Sequence, residues 1–205
     1  MRSGRPPGLD AASVRIKWSE PEPQDQKFDW GPFDRVIEGV RKYNAAHPGP
    51  SRKVHLRPMG GVHGPEWFEA AGVRYYDTEQ QSHVYHGGKP ATIKTTPIRV
   101  PKPYDNPEFL KQLRELYRAM RDRYSSEPLV VIFHGTWSAG PWDEIFHPLP
   151  PAPMPPGYTP EKFVAGMVQN LMCSLTNGAH RDWWRNFLSL GNTLQEGRSK
   201  SRVRW

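Results

Sequence analysis

NPEFLKQLRELYRAMRDRYSSEPLVVIF, residues Asn106 to Phe133, contains two different patterns joined by four residues. In the first, Phe109, Leu110, Leu113, Leu116, Tyr117 and Met120 recur at helical spacing, while Lys, Arg, Glu and Asp fill the other positions. One apolar face and one solvated face predict an amphipathic helix. Asn106 stands at the N-cap, and Pro107 occupies the first turn, where a missing N–H removes no intrahelical bond. After SSEP, LVVIF is a short run of apolar residues, as expected of a strand buried on both faces. A helix that returns directly to such a strand is the signature of a parallel sheet with helical crossovers.

The same alternation extends toward the N-terminus. SVRIKW, Ser13 to Trp18, alternates Val14, Ile16 and Trp18 against Arg15 and Lys17 and reads as a strand. After the loop SEPEPQDQKFDWG, Pro32 opens a helix whose apolar positions are Phe33, Val36, Ile37 and Val40, and which should stop before HPGPS. KVHLRP, Lys53 to Pro58, is a second short strand with Val54 and Leu56 inward. His55 alternates with them and should pack against helices or a neighbouring strand. Between Glu69 and Asn106 only VRYY and TIKTTPIRV suggest short strands. Beyond residue 146, six prolines in HPLPPAPMPPGYT exclude helix or central strand and predict a spacer. Thr159 then caps a helix with Pro160 at its first position and Phe163, Val164, Met167, Val168 and Leu171 as its buried stripe. The expected organisation is a flexible arm over 1–12, an α/β domain over 13–177 and an irregular basic tail over 178–205.

Composition narrows the function classes. Of 205 residues, 23 are proline and 18 glycine, so long irregular segments are expected. No apolar run approaches the roughly 20 residues of a membrane span, and MRSGRPPGLDAAS lacks the apolar core of an export signal, so the chain reads as soluble and cytoplasmic by default. The single Cys173 excludes an intrachain disulfide and a cysteine-based metal site, and it reads as a small core residue. The net charge of +7 is scattered over the helices beside acids, except in GRSKSRVRW. That tail reads first as disordered and second as a nucleic-acid-binding arm. Dispersed histidines, no HExxH, no G-x-G-x-x-G after a strand and no nucleophile elbow around Ser138 leave no motif for a metal, a cofactor or a nucleotide.

Carboxylates and aromatics instead gather just after the strands. In parallel sheets and barrels ligands bind at the C-terminal strand ends, so residues following SVRIKW, KVHLRP and LVVIF should share one rim. They are Glu20 and Glu22; Arg57, His63, Glu66 and Trp67; and His134, Trp137, Trp142, Asp143 and Glu144. Aromatic rings with carboxylates suit sugars, which stack an apolar face and hydrogen-bond their hydroxyls. A solvated loop would also account for Glu20 and Glu22 in EPEP.

Three ordered segments together carry a family likeness. RIKWSEPEPQDQKFDWGPFDRVIEGVRKY, KVHLRPMGGVHGPEWF and YDNPEFLKQLRELYRAMRDRYSSEPLVVIFHGTWSAGPWDEIF resemble the N-terminal half of family 42 type β-galactosidases and related clan A glycoside hydrolases. The resemblance covers about residues 13 to 146. It implies a partial (β/α)8 barrel holding about the first four β/α units, with LVVIF as the fourth strand, and hydrolysis of β-linked sugars by paired carboxylates. On it, Glu144 becomes the general acid/base and Asp143, where the family usually has Asn, tunes its charge. From the shared rim, Glu66 or Glu20 is the candidate second carboxylate, and Glu20, Arg57, Trp67, His134, Trp137 and Trp142 line the sugar site. The partner is an oligo- or polysaccharide, with no cofactor and no membrane. Half a barrel leaves sheet edges open, so a homodimer completing the barrel, closure by the tail or a truncated, non-catalytic carbohydrate-binding remnant are the alternatives.

Overall fold

A computed structural model describes residues 11–86, 89–133 and 153–178. The elements in chain order are β1 (Ala11–Lys17), α1 (Gly31–Ala46), β2 (Lys53–Met59), β3 (Tyr75–His86), β4 (Lys89–Pro101), α2 (Pro107–Tyr124), β5 (Val130–Phe133) and α3 (Pro160–Gly178), with two short 3-10 turns after β2. β1, β2 and β5 form a parallel sheet with β2 in the centre. The fold is therefore α/β, and among the described residues the sheet does not close into a barrel.

Register follows from the apolar alternation. Val14 lies beside Leu56 and Ile16 beside Pro58, so both strands turn their apolar residues to one face. There Val54 and Leu56 are fully buried with Phe33 and Ile37 of α1 and with Phe109, Leu113, Leu116, Tyr117 and Met120 of α2. Ser13, Arg15 and Lys17 of β1 are exposed on the alternate positions, where His55 and Arg57 of β2 are half-buried. His55 Nδ1 sits 3.5 Å from Ser13 Oγ, so its neighbour is the adjoining strand.

Two expectations are corrected. Among the described residues LVVIF is the third strand of the parallel sheet, not the fourth, because the segment before α2 supplies no parallel strand. That segment is a long antiparallel hairpin, β3 against β4, in a sheet of its own. Nor is LVVIF buried on both faces: Leu129 is buried, but Val131 is 39% exposed. Among the described residues helices cover the sheet on one side, and a residue pointing away from them meets no such layer there.

The helix starts differ as well. Thr159 caps α3 as expected, its Oγ1 accepting from Lys162 N at 3.2 Å. Asn106 does not cap α2. Its side chain bridges the loops instead, accepting from Arg74 N at 3.0 Å and donating to Arg74 O and Lys102 O at 2.9 and 3.0 Å. The described end of the proline-rich segment is anchored: Thr78 Oγ1 donates to Pro153 O at 2.6 Å, and Tyr104 Oη lies 3.2 Å from both Pro155 O and Pro156 O. α3 packs on α2 through Phe163 and Cys173, whereas Val164 and Val168, expected in its buried stripe, are 60% and 53% exposed, and burial pushes the Cys173 thiol up from its ordinary pKa. Gly166 passes so close to the Pro103 carbonyl and Tyr104 Cβ that a methyl group there would overlap both. No helix among the described residues is long and apolar enough to cross a membrane.

Candidate functional site

The loops that leave β1 and β2 are fastened to each other by one tryptophan–glutamate arrangement. Trp18 follows β1 and is buried against Phe68 and Phe109, with edge-on packing on Phe68 at 4.9 Å between centroids. Its Nε1 donates to Glu22 Oε2 at 2.7 Å, and Gln26 N donates to Glu22 Oε1 at 3.1 Å. Trp67 Nε1, from the loop after β2, donates to the Glu22 backbone carbonyl at 3.0 Å. Glu22 has no solvent exposure. Burial pushes its carboxyl up to about 7, against the two hydrogen bonds that favour the anion; the charges of Asp25 and Glu115 add to the rise.

The loop after β2 then turns sharply. Gly61 sits at φ 60°, in the left-handed region that glycine enters without a Cβ penalty. Glu66 and Glu69 follow, at opposite ends of a 3-10 turn and its cap. With Tyr75 and Arg99 from the base of the hairpin they line a cleft of about 390 Å³, whose remaining wall is Gly61, Val62, Gly64 and Pro65. Arg99 forms an ion pair with Glu69, lies 4.0 Å from Asp77 Oδ1 and places its guanidinium 5.0 Å from the Tyr75 ring centroid. Cross-strand pairing explains this cluster: Arg99 is directly opposite Asp77, and Tyr75 lies two residues along on the same face. Glu66 is exposed and makes no hydrogen bond or ion pair among the described residues. Burial raises the Tyr75 hydroxyl to about 12.

Of the residues expected to share a rim, the structure brings Glu66 into this cleft and places Trp67 next to it. The Trp67 indole turns toward Glu22 and packs edge-on against Phe68 at 4.9 Å, so much of it serves the core. Glu20 is exposed on the turn after β1, with its N–H donating to Lys17 O at 3.0 Å. Arg57 lies on β2 and donates from Nη1 to Ser13 Oγ at 3.4 Å; it is not part of the cleft wall. His134, Trp137, Trp142, Asp143 and Glu144 lie outside the described residues. Glu69, Tyr75 and Arg99 were not anticipated. The spacing of Glu66 and Glu69 in GPEWFE was a signal, since residues three apart share one side of a helical turn. Arg99 gave none before the hairpin register was known.

A second charged cleft, between α1 and α2, shows the contrast. There Arg123 pairs with Asp34 at 2.7 Å, Arg41 pairs with Glu127 at 2.8 Å, and Tyr124 Oη donates to Asp34 Oδ1 at 2.9 Å. Its ions satisfy one another. Among the described residues no group of three His, Cys, Asp or Glu side chains could hold a metal ion. Comparison with protein-family models and with curated proteins finds no match.

Proposed function

We propose that the chain is a carbohydrate-active protein, built as part of a (β/α) barrel, that binds β-linked saccharides at the C-terminal ends of its parallel strands and hydrolyses them. The observation that carries this reading is the open cleft directly beyond β2, where an unpaired carboxylate, Glu66, shares the wall with a tyrosine and an arginine. Hydroxyl-rich ligands suit such walls, because each polar group can exchange a water for a sugar hydroxyl without a buried charge being created. The likeness of the β1, β2 and α2–β5 segments to clan A glycosidases supports the same reading.

In this scheme Glu144 protonates the leaving oxygen, with Asp143 adjusting its charge, and Glu66 attacks the anomeric carbon or activates water. Separation of the two carboxylates decides between these routes: about 5–5.5 Å for attack with retention, and about 6.5–9.5 Å for inversion through water. Chromogenic β-glycoside hydrolysis tests the scheme. Glu144→Gln and Glu66→Gln should each lower kcat by 100-fold or more, the usual order for loss of acid–base assistance. Wild-type rates in both variants remove these residues from the mechanism.

A non-catalytic saccharide-binding protein is the second reading. It is favoured by the engagement of Glu69 with Arg99, which leaves Glu66 as the unpaired glutamate of the cleft. Saccharide-dependent tyrosine and tryptophan fluorescence without turnover identifies that case. Two copies of the chain joining their sheets would complete a barrel under either reading, and the mass in solution tests it.

A further inference from the structure

The charge in the cleft beyond β2 is opposite to that of the chain. The protein carries a net charge of +7, yet the cluster at this cleft sets one cation, Arg99, among three carboxylates: Glu66, Glu69 and Asp77. Arg99 is committed to Glu69 and, more distantly, to Asp77. Glu66 keeps an uncompensated negative charge at the cleft wall. The Tyr75 ring has the guanidinium over one face, so that face is closed to stacking by a sugar. Selection in this cleft therefore rests on charge and hydrogen bonding more than on aromatic stacking. Its volume of about 390 Å³ lies at the small end of ligand sites, which run from about 300 to 1,000 Å³.

We propose that this cleft selects saccharides bearing a free, protonated amino group, with Glu66 as the anion that receives the ammonium. The proposal rests on the reading of the cleft as a saccharide site and narrows its ligand to amino sugars. An ammonium beside Glu66 gains an ion pair that a neutral hydroxyl cannot make, and a uronate there meets like charge. The whole-chain charge of +7 would by itself favour the uronate. The order expected from the cleft is thus the reverse of the order expected from non-specific attraction.

The test is calorimetric titration of the full chain with three short oligosaccharides at low salt: a β-linked glucosamine oligomer, a β-linked glucose oligomer and a β-linked mannuronate oligomer. The glucosamine oligomer should bind about two- to fivefold more tightly than the glucose oligomer, the range an exposed ion pair supplies, and the uronate most weakly. Raising the salt to about 1 M, where screening acts within about 3 Å, should erase the difference. Glu66→Gln should bring the ratio of amino to neutral affinity to one. Because Glu66 is exposed and its side chain makes no hydrogen bond or ion pair among the described residues, this change leaves the fold intact. Glu69→Gln, which releases Arg99 into the cleft, should lower the same ratio. Equal affinity for the amino and neutral oligomers in wild-type protein overturns the amino-sugar preference while leaving the saccharide reading standing. Absence of binding by all three overturns the saccharide reading itself.

Discussion

Glu22 stands five residues past the end of β1, has no contact with water, and holds two loop donors on its carboxylate and a third on its backbone carbonyl. Its carboxyl takes a proton more readily in the fold than in the unfolded chain, at about 7 against an ordinary 4.5. The folded state then holds more protons between those two values, so this group lowers stability as pH rises through that window, by on the order of 3 kcal/mol in all. Glu22→Gln should flatten the fall: its Tm should change less than that of wild type between pH 5 and 7.5. Parallel Tm profiles for the two proteins would show that Glu22 titrates as an ordinary carboxyl. The sequence placed Glu22 at the rim but did not separate it from Glu20. Only Trp18 and Trp67, meeting across two loops, make one glutamate buried and leave the other in solvent.

Elements were legible where apolar residues repeat at a helix or strand period or run together. α1, α2 and the parallel strands meet this condition, and that patterning predicted them. Of the hairpin β3–β4 only TIKTTPIRV, which lies within β4, and the tyrosines of VRYY, which open β3, were legible; TEQQSH and the start of β4 carry little apolar alternation, and their order comes from pairing with each other. Caps show the limit of local reading. Asn106 and Thr159 both precede a proline at the start of a helix, yet Asn106 spends its side chain on Arg74, thirty-two residues away in sequence. The contact of α3 with the Pro103–Tyr104 backbone gives a test at this scale. Gly166→Ala forces a methyl group onto main-chain atoms that cannot rotate aside, and it should destabilise by about 1–3 kcal/mol, read as a lower midpoint in urea. An unchanged midpoint would show that α3 shifts freely over α2.

Over the whole molecule, one apolar cluster runs from Ile16 of β1 through α1, β2 and α2 to Phe163 and Cys173 of α3. A continuous cluster predicts one cooperative unfolding transition. Leu116→Ala, at a fully buried site on α2, should cost about 2–5 kcal/mol. Phe163→Ala should move the same transition to lower denaturant. Two resolved transitions, with only one sensitive to Phe163, would show that α3 and the hairpin base unfold apart from the sheet. The parallel sheet was legible at this scale because helix and strand patterns alternate. The count of strands was not, since the likeness to a regular barrel left no place for an inserted hairpin.

That insertion also bears on how the chain finds its fold. β2 must pair with a strand about 75 residues further on, Val54 beside Val130, and closing so long a loop is what makes parallel sheets slow to form. The hairpin lies within that loop, and its own pairs join residues close in sequence, from His86 with Lys89 outward to Tyr75 with Pro101. Once zipped, it draws Tyr75 and Pro101 together and takes the intervening residues out of the search. The same hairpin that walls the cleft thus shortens the effective distance between β2 and β5, coupling the arrival of the central strand's second partner to the assembly of the site.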